Sequence, residues 1–278
     1  MKLEHINPEK NYVFHYLDAN ALINIVQNKK LWATNIAYMN DDREGKVAQS
    51  FIEEALRRGN CGGKVINNDA KWILERFLAS TRFAFSTSFS ERYDNLSMYR
   101  TYAPASGGYC IGFDEEYLKS IASVQYVKCS YDKQLQEQTV ADFIITIIDH
   151  ADNIISQYPD INQRANVLIG KYHNCLEDMS ISFKTPEFVT EEESRIFVTG
   201  KPWDERKLRV SSKGNIILPY VEIDLPDVNT DIVLCRGPNE SGELADKGLT
   251  ELYHIAKASD SKWNIHKLNP METGYRNV

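Results

Sequence analysis

The densest chemistry in the chain lies between Phe183 and Thr199, FKTPEFVTEEESRIFVT, centred on Glu191-Glu192-Glu193-Ser194-Arg195. Ile196-Phe197-Val198 is β-branched and aromatic and reads as a strand with the acidic triplet at its mouth. If the extended conformation reaches back to Glu191, side chains alternate, and Glu191, Glu193 and Arg195 share one face with Glu192 on the other. Two carboxylates at i and i+2, followed by a guanidinium, suit the orientation of a sugar hydroxyl or the stabilisation of a developing cation. Arg195 can lock one of them through a bidentate bond. The competing reading is a solvated acidic loop before a buried strand.

Other groups with chemical potential are scattered. His15-Tyr16 falls on a first strand, where a lone histidine is most often a satisfied structural residue. Ser86-Thr87-Ser88 lies on a strand between Phe85 and Phe89, where small hydroxyls either face a site or bond across strands. Tyr99 and Tyr102, three apart, share a helix face and are candidates for core or site. Gly107-Gly108 is a weak phosphate-loop signal without a following Lys-Ser/Thr. Asp41, Asp42, Glu44 and Lys46 imitate a nuclease set, but they crowd one turn and a helix start. His173 and Cys175 form a close pair with no second pair to complete a metal site, so no metal is expected. A Gly-x-Ser-x-Gly nucleophile elbow is absent.

The elements that must position these groups follow from the pattern. Tyr12–Tyr16 is a strand, Asp18 caps a helix bearing Leu22, Ile25 and Val26, and Leu31–Ile36 returns as a strand. Asn40-Asp41 is a turn, Glu44–Arg58 an amphipathic helix, and Asp69 caps a helix over Trp72 to Leu78. Strands are expected at 82–89, 109–113, 124–130, 216–223, 231–235 and 263–268, with Gly237-Pro238 a turn and a helix over 244–256. Residues 134–182 break this rhythm. Val140, Phe143, Ile144, Ile147, Ile148 and Ala151 form a helical stripe, and a second helix over 162–179 completes a hairpin, an insertion or lid packed on the sheets. Roughly nine strands and six or seven helices, without βαβ alternation, predict an α+β fold with mainly antiparallel sheets. With 278 residues and no low-complexity linker, the chain is expected to form a single domain over 1–278. The net charge of −7 gives no global basic field for nucleic acid or an anionic membrane, although a basic loop runs from Lys201 to Lys213. No apolar run approaches the roughly 20 residues of a membrane span. The start lacks a signal core, and five scattered cysteines suit free thiols, so a cytoplasmic protein with no membrane contact is expected.

In order, these pieces resemble a large bacterial family of domains of unknown function that is distantly related to ADP-ribosyltransferases. The resemblance is carried by Phe14-His15-Tyr16, Leu31-Trp32, Asn40-Asp41 with Glu44, Ser88-Phe89-Ser90, and Tyr99-Arg100-Thr101-Tyr102-Ala103. It continues through Gly108 with Ile111-Gly112-Phe113, Phe183-Lys184, Glu191 to Arg195, and Ile232 to Gly237-Pro238. The chain departs from the family pattern in having Tyr99 where tryptophan is usual, and in the long hairpin.

The resemblance implies an ADP-ribosyltransferase-like split pair of sheets with a cleft for NAD. It makes Glu193 the catalytic acid on a late strand, Glu191 the residue that orients or deprotonates the acceptor, and His15 the residue that positions NAD. Tyr16, Ser88, Tyr99, Tyr102 and Arg195 would complete the cofactor site. Either tyrosine of the Tyr99/Tyr102 pair would stack on nicotinamide, and Arg195 would hold the acids. The implied activity is an NAD-dependent ADP-ribosyltransferase, a bacterial toxin or phage-defence effector acting on nucleic acid or protein, with room for an antitoxin or regulatory partner. Two further readings stay open: an NAD glycohydrolase, and a catalytically silent module that binds a nucleotide or a partner.

Overall fold

Aromatic and branched residues build the first strand, β1 (Tyr12–Leu17), and every residue of it but His15 is buried. In this computed structural model the described residues are 9–39, 43, 45–79, 84–104, 107–199, 208–213 and 215–270. Asp18 accepts from the Ala21 amide and starts α1 (Ala19–Asn28), and Lys29 in the left-handed region ends it before β2 (Lys30–Asn35). There follow α2 (Val47–Arg58), the short pair β3 (Asn60–Cys61) and β4 (Lys64–Val65), and α3 (Asn68–Ala79). Next come β5 (Ala84–Ser90), α4 (Leu96–Tyr102), β6 (Gly107–Asp114), α5 (Glu115–Lys119) and β7 (Gln125–Lys128). The helical hairpin is α6 (Lys133–Asn153) and α7 (Ile161–Ser182), followed by β8 (Glu193–Thr199), β9 (Leu208–Lys213) and β10 (Ile216–Asp224). The chain closes with β11 (Thr230–Asn239), α8 (Gly242–Ala258) and β12 (Trp263–Lys267).

The fold is α+β. Ten strands form one branched sheet, with β8 and β7 leaving the main path β12-β11-β6-β1-β5-β2-β10-β9 at β5. Among the described residues only the β11–β12 pair of this sheet is parallel. The expected two sheets are therefore joined, and the split between them is local to β5. One edge of β5 pairs with β8 along its whole length, Ala84 opposite Thr199 through Ser90 opposite Glu193. The other edge is shared. β1 meets it only at Phe14 opposite Ser90, and β2 only at Thr34 opposite Ser86 and Asn35 opposite Phe85. Between those contacts β1 and β2 diverge, and among the described residues no strand pairs with β5 on this edge at Thr87, Ser88 or Phe89.

The two largest cores lie apart. Val13, Leu17, Leu31, Phe85, Phe89, Phe113, Ile196 and Ile232 pack one sheet face under α1, α5 and α8. The other core is helical: Val140, Phe143, Ile144, Ile147 and Ile148 of α6 pack on Ile52 of α2 and on Ile73, Leu74 and Phe77 of α3. Each such side chain contributes roughly 1.5–3 kcal/mol on burial. The expected lid on the sheets is thus corrected: the apolar stripe of the hairpin is spent on α2 and α3, whose own stripes have no sheet to cover. Two local expectations also change. The side-chain cap of α3 is Asn67, which accepts from the Ala70 amide, while Asp69 pairs with Arg164. Gly237-Pro238 is an irregularity inside β11, where the register shifts between Arg236 and Asn239, instead of a turn. Asn40-Asp41, Asp42, Glu44 and the basic stretch 201–207 lie outside the described residues, as do 82–83 and the tail from 271.

Candidate active site

Where β1 and β2 diverge, a cavity of about 320 Å³ opens. Its walls include His15 and Tyr16 of β1, Trp32 and Thr34 of β2, Ser86 and Ser88 of β5, and Tyr102 of α4. Glu193 and Arg195 of β8 line it too, with Lys184, Phe188 and Glu191 from the segment before that strand. Strands that do not pair with each other reach one cavity because both flank β5.

The acids do not share a strand face. Pro186 opens a 3-10 helix over Pro186–Glu191, and Glu192 then takes φ +44° and ψ +53°, so the strand begins only at Glu193. This left-handed residue breaks the alternation on which the extended reading of Glu191 rested. The two carboxylates meet nonetheless through Lys184, whose Nζ bonds Glu191 and lies 2.6 Å from Glu193 Oε2. Arg195 grips Glu193 in a fork, Nε to Oε1 at 2.8 Å and Nη2 to Oε2 at 2.9 Å, and donates Nη1 to the Ile181 carbonyl at 2.7 Å.

All four charged groups are largely withdrawn from water, and Glu193 and Arg195 are 3% and 0% exposed. Burial alone would raise the Glu193 carboxyl, but Arg195 and Lys184 outweigh it and hold the value at about 2. Lys184 is pulled down by burial and up, by more, by Glu193 and Glu191, so it stays charged. Three of the roughly four acceptor positions of the Glu193 carboxylate are taken by these cations, which leaves one on Oε1. The helical layer braces the cluster. Gln136 of α6 donates to the carbonyls of Ser130 at 2.6 Å and Lys184 at 2.9 Å, and the Glu193 amide donates to the Tyr131 hydroxyl at 3.0 Å.

His15 fills the fork between β1 and β5. Its Nδ1 lies 2.8 Å from the Ser88 carbonyl. A carbonyl only accepts, so Nδ1 carries the proton. Burial lowers the pKa of the ring, against the rise from the Ser88 bond, so the imidazole is neutral near pH 7 and Nε2 is an acceptor. The imidazole thus replaces the ladder bond that β5 loses where β1 departs. On the β2 side the same duty falls to Thr87, whose hydroxyl donates to the Trp32 carbonyl at 2.9 Å. Ser88 Oγ is buried in the cavity wall without a partner among the described residues, while Ser86 Oγ donates to the Ile196 carbonyl at 3.2 Å.

The two candidate tyrosines separate. Tyr102 lines the cavity, and burial first, then Glu191 and Glu193, raise its pKa and keep it protonated. Tyr99 faces the other way. It is 4% exposed, donates to the Tyr93 carbonyl at 3.1 Å and packs edge-on against Tyr16 at 4.6 Å. The expected place of Tyr99 at a cofactor is therefore corrected. A Cβ at Gly237 would stand 2.2 Å from its ring, so Tyr99 occupies space that only glycine leaves free in the irregular part of β11. Tyr16 borders the cavity, but its hydroxyl is committed to the Arg92 carbonyl and the Asn95 amide.

Lys184 was the residue that sequence reasoning left without a role, although Phe183-Lys184 was visible as a pair. The missing signal was distance: seven residues from Glu191, it is brought back by the 3-10 turn. Gln136 carried none, since a glutamine in a helix is ordinary. Among the described residues no cluster of His, Cys, Asp or Glu is arranged to hold a metal ion, and no helix is long and apolar enough to cross a membrane.

An α+β protein with a polar cleft at a forked strand is the class that fold and site define. Residues 98–196 match a family described as "Protein of unknown function (DUF2971)". That span runs from α4 to β8 and holds Tyr99, Tyr102, Lys184, Glu191, Glu193 and Arg195, with His15, Trp32 and Ser88 outside it. No curated protein and no solved structure matches the chain.

Proposed function

We propose that the cleft binds NAD and that the protein is an ADP-ribosyltransferase acting in the cytoplasm on a macromolecular acceptor, nucleic acid or protein. The observation that carries this reading is the meeting of an ionised, immobilised carboxylate, Glu193, with a neutral histidine acceptor, His15, in one cavity at a strand fork. It agrees with the resemblance of the ordered motifs to relatives of ADP-ribosyltransferases. Departure of nicotinamide leaves positive charge on the ribose, as in glycoside cleavage. An acceptor fixed beside a ribose hydroxyl gains strength as that charge develops, which lowers the barrier instead of merely tightening binding.

Glu193 supplies that acceptor at Oε1. Lys184 and Arg195 offset its net charge, so it offers the ribose a fixed direction more than an isolated anion. Glu191, held by Lys184 alone, faces the acceptor as its base. His15 Nε2 and Ser88 Oγ take hydroxyls elsewhere on the dinucleotide, and Tyr102 flanks the nicotinamide. A toxin or phage-defence role, with an antitoxin or regulatory partner, is the setting in which such an activity fits.

The test uses purified protein, labelled NAD and cell lysate, wild type beside Glu193→Gln. Label transferred to macromolecules and reduced about 100-fold in the variant supports the transferase, and nuclease against protease treatment then assigns the acceptor. Nicotinamide release without transfer replaces it with a glycohydrolase. No NAD binding at all removes the reading and leaves a silent module.

A further inference from the structure

Toward β10 the cleft changes from charged to aromatic. Along β2 the residues Leu31 and Ala33 are buried, and Lys30, Trp32 and Thr34 alternate with them onto the opposite face. Register brings Tyr220 and Glu222 of β10 onto that same face, opposite Thr34 and Trp32. Trp32 and Tyr220 are therefore diagonal neighbours, and their rings stack with centroids 4.3 Å apart and planes 26° apart. Trp32 nonetheless remains 43% exposed. Together with Tyr38, Met39 and Leu218 it lines the cavity that also holds His15 and Glu193.

A single exposed tryptophan is ordinary on a protein surface. Trp32 differs in three respects. Its exposed area borders a cavity. Its ring is held against Tyr220, so little rotamer freedom remains to be lost when a ligand settles on it. Its backbone is tied to β5 through Thr87. Lys30 and Glu222, charged neighbours of Trp32 on this face, pair with each other at 2.8 Å, and Arg209 of β9 stands opposite Tyr220. A flat, polarisable, uncharged ring is the ligand this surface suits, and base–aromatic stacking is tolerant of base identity.

We propose that Trp32 is the stacking surface for a nucleobase. The proposal rests on the NAD reading for one source of that base, the adenine of the dinucleotide; the other source is a base of a nucleic-acid acceptor reaching the same cleft. In the first case adenine lies toward β10 and nicotinamide toward Tyr102 and Glu193. In the second, an acceptor base is held beside the reacting ribose.

The experiment is calorimetric titration of the full chain, as wild type, Trp32→Ala and Trp32→Phe. The probes are NAD, adenosine monophosphate, nicotinamide mononucleotide and a mixed-sequence single-stranded oligonucleotide. With adenine on Trp32, Trp32→Ala weakens adenosine monophosphate and NAD about tenfold or more, and Trp32→Phe stays within about threefold of wild type. Nicotinamide mononucleotide is unaffected. A loss confined to the oligonucleotide keeps the platform and assigns the base to the acceptor. The proposal is overturned by unchanged affinities in Trp32→Ala, by a loss confined to nicotinamide mononucleotide, or by a wild type that binds neither adenosine monophosphate nor the oligonucleotide. Equal NAD affinity in wild type and Trp32→Ala, with the oligonucleotide affinity also unchanged, fails this proposal alone. Trp32-dependent oligonucleotide binding without NAD binding fails the NAD reading alone.

Discussion

Of the carboxylates held below the usual range, Glu193 in the cleft and Asp231 on β11 are shifted furthest, and they are built for different ends. Asp231 Oδ2 accepts from Lys10 at 2.9 Å and Tyr12 at 3.2 Å, while Oδ1 accepts from Asn264 at 2.7 Å and lies 3.1 Å from His266 Nε2. Burial would raise its pKa, and Lys10, His266 and Asn264 pull it further down. Its partners come from β1, from the residues before it and from β12, so it ties strand ends together and all its acceptor capacity is used. Glu193 has fewer partners, is more deeply buried and keeps one acceptor position beside a cavity. A low carboxylate pKa therefore does not mark a site. Glu193 differs from Asp231 in lining a cavity.

The largest difference is expected on removing the principal cation of each cluster. Arg195→Met leaves Glu193 buried with Lys184 alone and is expected to cost about 3–5 kcal/mol of stability. Lys10→Met leaves Asp231 three other partners near solvent and is expected to cost about 1 kcal/mol or less. Denaturant unfolding of both variants measures this, and equal losses would erase the distinction.

Next in size is Lys184→Met, expected to cost roughly 2–3 kcal/mol because Glu191 and Glu193 lose their shared donor and repel. The same change raises the Glu193 pKa, so the acidic limb of any pH–rate profile moves to higher pH. Asp231→Asn should leave that limb where it is, and a shift there would place the two clusters in one network.

Acid unfolding separates the groups again, now by pH. The folded pKa of Glu193 is depressed to about 2, so its contribution is full above the unfolded carboxylate value near 4.3 and is lost as pH falls from about there toward 2. Asp231 acts in the same sense. The folded pKa of His15 is also lowered, so folding keeps a neutral ring, and stability is lost as pH falls below the unfolded value near 6.5. Circular dichroism against pH should show an early loss that His15→Gln removes and a later one that it does not. A single late transition in both proteins would contradict the His15 assignment.

The smallest effects distinguish the two tyrosines. Tyr99→Phe loses the hydroxyl's contacts with the Tyr93 carbonyl and Cys110 Sγ in the core, about 1 kcal/mol, and should leave nicotinamide release unchanged. Tyr102→Phe should be close to neutral for stability, whereas Tyr102→Ala should lower release about tenfold if the ring flanks nicotinamide. Equal activity of Tyr102→Ala and wild type would remove Tyr102 from the cleft's function.

Much of this was legible beforehand for a definite reason. The strand of His15, the helix capped by Asp18, the stripe from Val140 to Ala151 and the strand of Ile196 are periodic patterns, and periodicity is a local property of the chain. The candidate residues Glu191, Glu193, Arg195, His15, Ser88 and Tyr102 do line one cavity. What misled was also local. Extension back to Glu191 ignored the Pro186 turn and the left-handed Glu192, and the equivalence of Tyr99 with Tyr102 followed from helix spacing alone, which does not encode that Tyr99 packs against Tyr16 while Tyr102 lines the cavity.

By itself, then, the sequence determined the α+β class, most of the elements and the residue types that meet in the cleft, since these follow from side-chain periodicity, capping and composition, while Leu208–Lys213, read as part of a basic loop, is β9. Only the tertiary structure decided that β5 shares one edge between β1 and β2. That fork arises from pairing of β5 with strands far back in the chain, Phe14 with Ser90 and Thr34 with Ser86, which no local pattern encodes. It decided as well that Lys184 joins the two acids, that Gln136 braces them from the helical layer, and that Trp32 lies open on Tyr220. Each of these depends on which strand or turn ends beside which, and burial then fixes the charges that such neighbours carry.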